Sequence, residues 1–107
     1  MKFGIFYEHQ VPKPWEDGDE LRVMEEALRE AELADQLGFE TFWLVEHHFL
    51  EQYSHSSAPE ILLAVLCQRT RNLRLGHGIV HALPAINHPV RIAERIAKGE
   101  NVNKRLR

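Results

Sequence analysis

The sequence predicts an α/β fold built on a parallel sheet. Short apolar runs rich in aromatic or β-branched residues begin near residues 2, 40 and 73, and a helical pattern follows each one. Each repeat takes roughly 30 to 40 residues, the length of a βαβ unit. Strands and helices alternating at that spacing are joined by right-handed crossovers, which makes neighbouring strands parallel.

Residues 2–7 (KFGIFY) read as a buried strand. A polar stretch with Pro12, Pro14 and Gly18 follows, and Asp17 and Glu20 have capping-box spacing at the entrance to a helix. Leu21, Met24, Leu28, Ala31 and Leu37 form that helix's expected apolar stripe, with Glu25, Glu26, Arg29, Glu30 and Glu32 on the wet side. Gly38 ends it, being free to take positive φ. Residues 41–45 (TFWLV) read as the second strand. Ser57-Ala58-Pro59-Glu60 is a second capping box with proline in the first turn, opening a helix that runs from Ile61 to about Arg71. The third strand is expected over residues 73–80 (LRLGHGIV), and Pro89 starts a third helix through about Ala97. Residues 98–107 turn polar and basic and read as a frayed helix end with a loose tail, outside a body spanning residues 1–97.

At 107 residues the chain has room for one small domain. Its apolar content of 44% and charged content of 27% are those of a soluble globular protein, so disorder across the body is excluded. A net charge of −3 supplies no basic field, so neither nucleic acid nor an acidic membrane surface is an expected partner. No apolar run is long enough to span a membrane, and no signal-peptide pattern opens the chain; a cytoplasmic location is expected. Cys67 lies in an apolar helical run, where a buried side chain is the main reading and a reactive thiol the minor one.

The chain has seven histidines. His9, His47, His48, His77 and His81 fall in or just after predicted strands. Parallel α/β folds build their sites at the carboxyl ends of strands, where the loops converge. Those ends offer Glu8, His9 and Gln10, then Glu46, His47 and His48, then His77 and His81. His47 and His48 are adjacent, so their side chains should point to different sides, one toward the mouth as a general acid or base. Glu46 is a candidate for orienting one imidazole or bonding a backbone amide; the trio would equally serve to satisfy loop backbone. A metal held by His9, His47, His77 and an acid is the rival reading, but adjacent histidines chelate poorly and no metal is expected. The two glycines of Gly76-His77-Gly78-Ile79 mark either a bulge or the close approach of a ligand or backbone. Arg69, Arg71 and Arg74 are expected to be solvated.

Several strings resemble the bacterial luciferase-like, flavin-dependent monooxygenases: Met1-Lys2-Phe3-Gly4-Ile5-Phe6, Leu37-Gly38-Phe39, and Trp43-Leu44-Val45-Glu46-His47-His48-Phe49. Ser54-His55-Ser56-Ser57-Ala58-Pro59, Leu75-Gly76-His77-Gly78-Ile79-Val80, and His88-Pro89 followed by Arg91, Ala93 and Glu94 look like the group related to the alkanal monooxygenase chains. The resemblance implies a TIM-barrel flavoenzyme using reduced FMN, or the deazaflavin F420 in relatives, with O₂ and an organic substrate such as an aldehyde. It places the catalytic histidine on His47, with Glu46 and His48 beside it. It puts His77, Gly78 and Ile79 against the isoalloxazine, with a non-proline cis peptide at Gly78-Ile79. It also implies a homodimer.

A whole (β/α)₈ barrel takes about 250 residues. The resemblance therefore implies an incomplete barrel of three βα units, without the later strands that carry the phosphate-binding groups. On this reading the chain is a truncated monooxygenase with little or no activity alone. The alternatives are a non-catalytic oligomerising module that keeps the dimer surface and, third, a metal-dependent hydrolase fragment.

Overall fold

A computed structural model describes residues 1–102. Its elements run β1 (Gly4–Tyr7), α1 (Asp19–Gln36), β2 (Thr41–Leu44), α2 (Pro59–Arg69), β3 (Arg74–His77) and α3 (Pro89–Val102). The strands form one parallel sheet in the order β1-β2-β3, the α/β arrangement expected. Gly4, Thr41 and Arg74 lie side by side, and the register continues to Tyr7, Leu44 and His77. All three strands therefore end level with one another.

Alternation along the strands sorts the two faces. Phe42, Leu44 and Leu75 are buried on the helix side, packed with Ala31 and Ala34 of α1, Leu63, Leu66 and Cys67 of α2, and Leu73. Cys67 is thus a core side chain, as its apolar surroundings predict. Phe6, Trp43 and Gly76 share the opposite face, where Phe6 is 51% exposed.

Helix α1 faces the sheet differently from the expected stripe. Val23, Ala27, Ala31 and Ala34 are buried, whereas Leu21 and Leu37 stand 65% and 66% exposed. The small alanines bring the helix axis close to the sheet, and the buried stripe still keeps helical spacing. Both capping boxes are also replaced. Gly18 occupies the N-cap of α1 with φ 89° and Ala58 that of α2, neither with a side-chain cap. In the first case the Glu16 N–H donates to Asp19 Oδ2 at 2.8 Å. Past α1, the Phe39 N–H bonds the Ala34 carbonyl (3.0 Å) and the Gly38 N–H bonds that of Asp35 (3.3 Å). With Gly38 at φ 79°, this is a Schellman end.

β3 stops at His77, short of the expected Val80, because its last ladder bond, Gly78 N–H to Leu44 O at 2.6 Å, exhausts the partner strand. α3 continues five residues beyond Ala97 to Val102, so the first half of the expected tail is helical; residues 103–107 lie outside the described part. Among the described residues no helix is long and apolar enough to cross a membrane.

One carboxylate joins three elements. Asp35, near the end of α1, accepts the backbone N–H groups of Arg71 (2.7 Å), Asn72 (2.8 Å) and Leu73 (2.6 Å) in the turn between α2 and β3. Charge-assisted bonds of this kind stabilise by about 1.5–3 kcal/mol each and are not additive. Asp35→Ala should lower the unfolding free energy by about 2–4 kcal/mol in urea titrations, with Asp35→Asn losing less.

Candidate active site

The level strand ends bring three loops to one rim. The β1–α1 and β2–α2 loops are tied by their backbones: the Val11 N–H donates to the Gln52 carbonyl and the His55 N–H to that of His9, both at 3.0 Å. The His47 N–H donates to the Ser56 carbonyl at 2.8 Å, while Ser56 Oγ donates back to the Val45 carbonyl at 2.6 Å. These bonds fix the backbone on both sides of the Glu46-His47-His48 string.

Within that string the two imidazoles part company, as adjacent residues at a strand end should. His48 Nε2 lies 3.0 Å from Glu46 Oε1, and the other carboxylate oxygen of Glu46 accepts the His81 N–H at 3.0 Å. Both orienting roles considered for Glu46 are therefore filled, but toward His48 and the β3–α3 loop. Burial pushes the Glu46 carboxyl up, and the bonds from His48 and the His81 amide outweigh it, so its pKa lies below the ordinary carboxylate value.

His47 meets a different acid. Its Nε2 lies 3.5 Å from Oε2 of Glu8, the first residue past β1. The edge-on rings of Tyr53 (5.8 Å between centroids) and His81 (6.1 Å) wall it in. His47 and His48 also line an open cleft of about 650 Å³ that reaches His55, a size suited to a small organic molecule. His55 faces two acceptors, the Glu51 carbonyl at 2.8 Å and Glu20 Oε1 at 3.2 Å. The carbonyl first, and then the carboxylate, raise its pKa by favouring the doubly protonated ring.

The residues proposed for a cofactor separate. His77 shares the helix-side face with Leu44 and looks into a cavity of about 270 Å³ bordered by Cys67, Glu60 and Arg95. Burial is the chief cause that lowers its pKa. Gly78 explains itself locally, since a Cβ there would stand 2.5 Å from Cε2 of Phe6. The close approach foreseen for this glycine is made by a ring of its own chain. Ile79 is 36% exposed beyond the strand end. The expected non-proline cis bond at Gly78-Ile79 is absent, the one cis bond among the described residues being Lys13-Pro14. A cis form costs about 3–4 kcal/mol and needs rigid surroundings; past the Gly78 N–H no ladder bond holds this segment.

No group of three metal-binding side chains forms among the described residues. His9 is 1% exposed, at φ 55°, with neither ring nitrogen hydrogen-bonded. Arg69, Arg71 and Arg74 are exposed as expected, though Arg69 pairs with Glu32. Two neighbours of the His47 ring were not legible as such. Glu8 was marked only as a strand-end residue, and Tyr53 lies in a polar loop with no pattern to single it out.

The rim fits the ring of a flavin better than its phosphate. Phe6 and Trp43 stand side by side on the face of the sheet away from the helices, and one oxygen of Glu8 is buried without a hydrogen-bond partner. No lysine or arginine side chain borders the His47 cleft among the described residues.

The family model described as luciferase-like monooxygenase matches residues 1–102. The chain is 34% identical over 106 residues to limonene 1,2-monooxygenase of Rhodococcus erythropolis, covering 97% of this chain and 25% of that protein. Among solved structures it resembles monooxygenase RslO1 from Streptomyces bottropensis (41% identity, TM-score 0.79, 99% of this chain and 31% of that one). It also shares the fold of the oxygenating constituent of 3,6-diketocamphane monooxygenase from Pseudomonas putida, solved in complex with FMN (19% identity, TM-score 0.80, 99% and 28%). The chain thus spans between a quarter and a third of the length of these relatives.

Burial holds His9 neutral, with its pKa lowered from 6.5 to about 4. The unfolded chain takes up that proton first, so stability is full above pH 6.5, erodes as pH falls, and levels off below about pH 4. His9→Asn, which tolerates positive φ, should remove up to about 3 kcal/mol of this acid-dependent loss in chemical denaturation run across the pH window.

Proposed function

The chain belongs to the luciferase-like monooxygenase family, and from that premise we propose that it forms the His47 side of a flavin-dependent monooxygenase site. The observation that carries the reading is the convergence of His47, His48 and His81 with two carboxylates at the carboxyl ends of three parallel strands. FMN is the proposed cofactor, supported by the family and by the FMN complex of the camphane-oxidising relative. Bound and reduced, it supplies the electrons that activate O₂ for insertion into an organic substrate.

This chain's residues do the rest. Phe6 and Trp43 offer a flat apolar surface to the ring. The His47 imidazole takes and returns a proton at the cleft. Glu46 holds His48 and the His81 backbone in place and thereby shapes the rim. Because no lysine or arginine borders the cleft to hold the phosphate, the chain alone should bind flavin weakly and turn over little or not at all.

A second reading, an oligomerising module, draws on a different surface. Met24 of α1 and Ile61, Leu62 and Val65 of α2 line one groove, and Ile61 is 68% exposed. Apolar surface of this kind suits a second copy of the chain.

Two measurements separate the readings. Titration of the chain into FMN should quench flavin fluorescence saturably, with Trp43→Ala weakening binding about three- to tenfold through lost ring contact. No quenching up to high micromolar FMN, with F420 as a parallel probe, removes the flavin reading. Light scattering should give twice the 12.5 kDa chain mass, and a monomer at micromolar concentration removes the dimer.

A further inference from the structure

We propose that Glu8 is a positioning residue: its carboxylate fixes the ring proton of His47 on Nε2 and leaves Nδ1 as the nitrogen that exchanges protons at the cleft. The functional value of this arrangement rests on the reading of His47 given above, whereas the arrangement itself does not.

Glu46, the acid next to His47 in sequence, is not available for the task. One of its oxygens faces His48 and the other accepts the His81 amide. Glu8 has the opposite character. Its Oε2 is buried and has no hydrogen-bond donor, and His47 Nε2 stands 3.5 Å away. An unsatisfied buried acceptor is destabilising, the more so when charged. Closing that gap by a small side-chain rotation would remove the cost, and hydrogen bonds in ligand-free active sites are commonly long before they tighten.

The surroundings favour closure. Both side chains are mostly shielded, at 18% for His47 and 19% for Glu8, so solvent screens the pair less than it would on an open surface. The His47 backbone is pinned to Ser56 and its ring is walled by Tyr53 and His81. With Nε2 committed to Glu8, the free lone pair falls on Nδ1, which makes no hydrogen bond among the described residues. A carboxylate that holds one ring nitrogen sets the tautomer and thereby chooses the reactive nitrogen.

The test is two-bond ¹H–¹⁵N NMR of the histidine rings of this chain above neutral pH. The wild type should show the His47 proton on Nε2, exchanging slowly enough with water to be seen. Glu8→Gln should speed that exchange by about tenfold or more, the loss of one charge-assisted hydrogen bond, while the His48 ring proton is unchanged. Glu46→Gln should affect His48 and spare His47, and Glu8→Asp should retain part of the protection. A His47 proton on Nδ1 in the wild type overturns the proposal by itself, even if a variant fails to fold. So does a folded Glu8→Gln chain with wild-type exchange at His47. Neither result depends on flavin, so failure of the flavin reading would leave this assignment standing, and the reverse also holds.

Discussion

The level parallel register of three short strands is the constraint on which the rest of the structure depends. Because Tyr7, Leu44 and His77 stand side by side, the residues that follow each strand emerge at the same height. Glu8, the Glu46-His47-His48 string and His81 then meet although each pair lies more than thirty residues apart in sequence. A slip of one residue in either pairing would turn Phe42 and Leu44 or Leu75 out of the core. The apolar packing that stabilises the sheet is therefore the same interaction that assembles the rim.

At that rim the electrostatics divide into two carboxylate–imidazole pairs with different degrees of commitment. Glu46 is satisfied on both oxygens and acts as a brace between the β2–α2 and β3–α3 loops. Glu8 retains a buried, unpaired oxygen beside His47. Completed networks add rigidity, whereas an incomplete one marks a place where free energy remains to be gained by movement or by a ligand. The contrast sets His47 apart from His48, two residues that composition alone treats as equivalent. His9, at positive φ and with neither ring nitrogen hydrogen-bonded, adds a cost that the tight backbone bonds around it offset.

The helices show how far pattern reading extends. Their existence and order were legible because apolar spacing and punctuation by Pro59, Gly38 and Pro89 are local signals. The buried face of α1 was not, because two stripes of comparable spacing run along it, one of leucines and one mainly of alanines. Which stripe meets the sheet depends on how closely the helix must approach, and alanine permits the closer contact. The caps were misjudged for a related reason: Gly18 and Ala58 take the N-cap positions through the path of the incoming loops, one residue away from the side chains that could have capped.

The sequence by itself determined the α/β class, the three βα units and the set of groups at the strand ends, since these follow from short-range periodicity and residue type; the family came from the resemblance of its strings to known relatives. Only the tertiary structure decided which of those groups meet. It sent His77 to the helix side while Gly78 packs against Phe6, gave Glu46 to His48, and brought Glu8 to His47. Pairings of this kind depend on pleat direction and loop path, where a single residue of offset reverses a side chain. Local sequence carries no term for that distance.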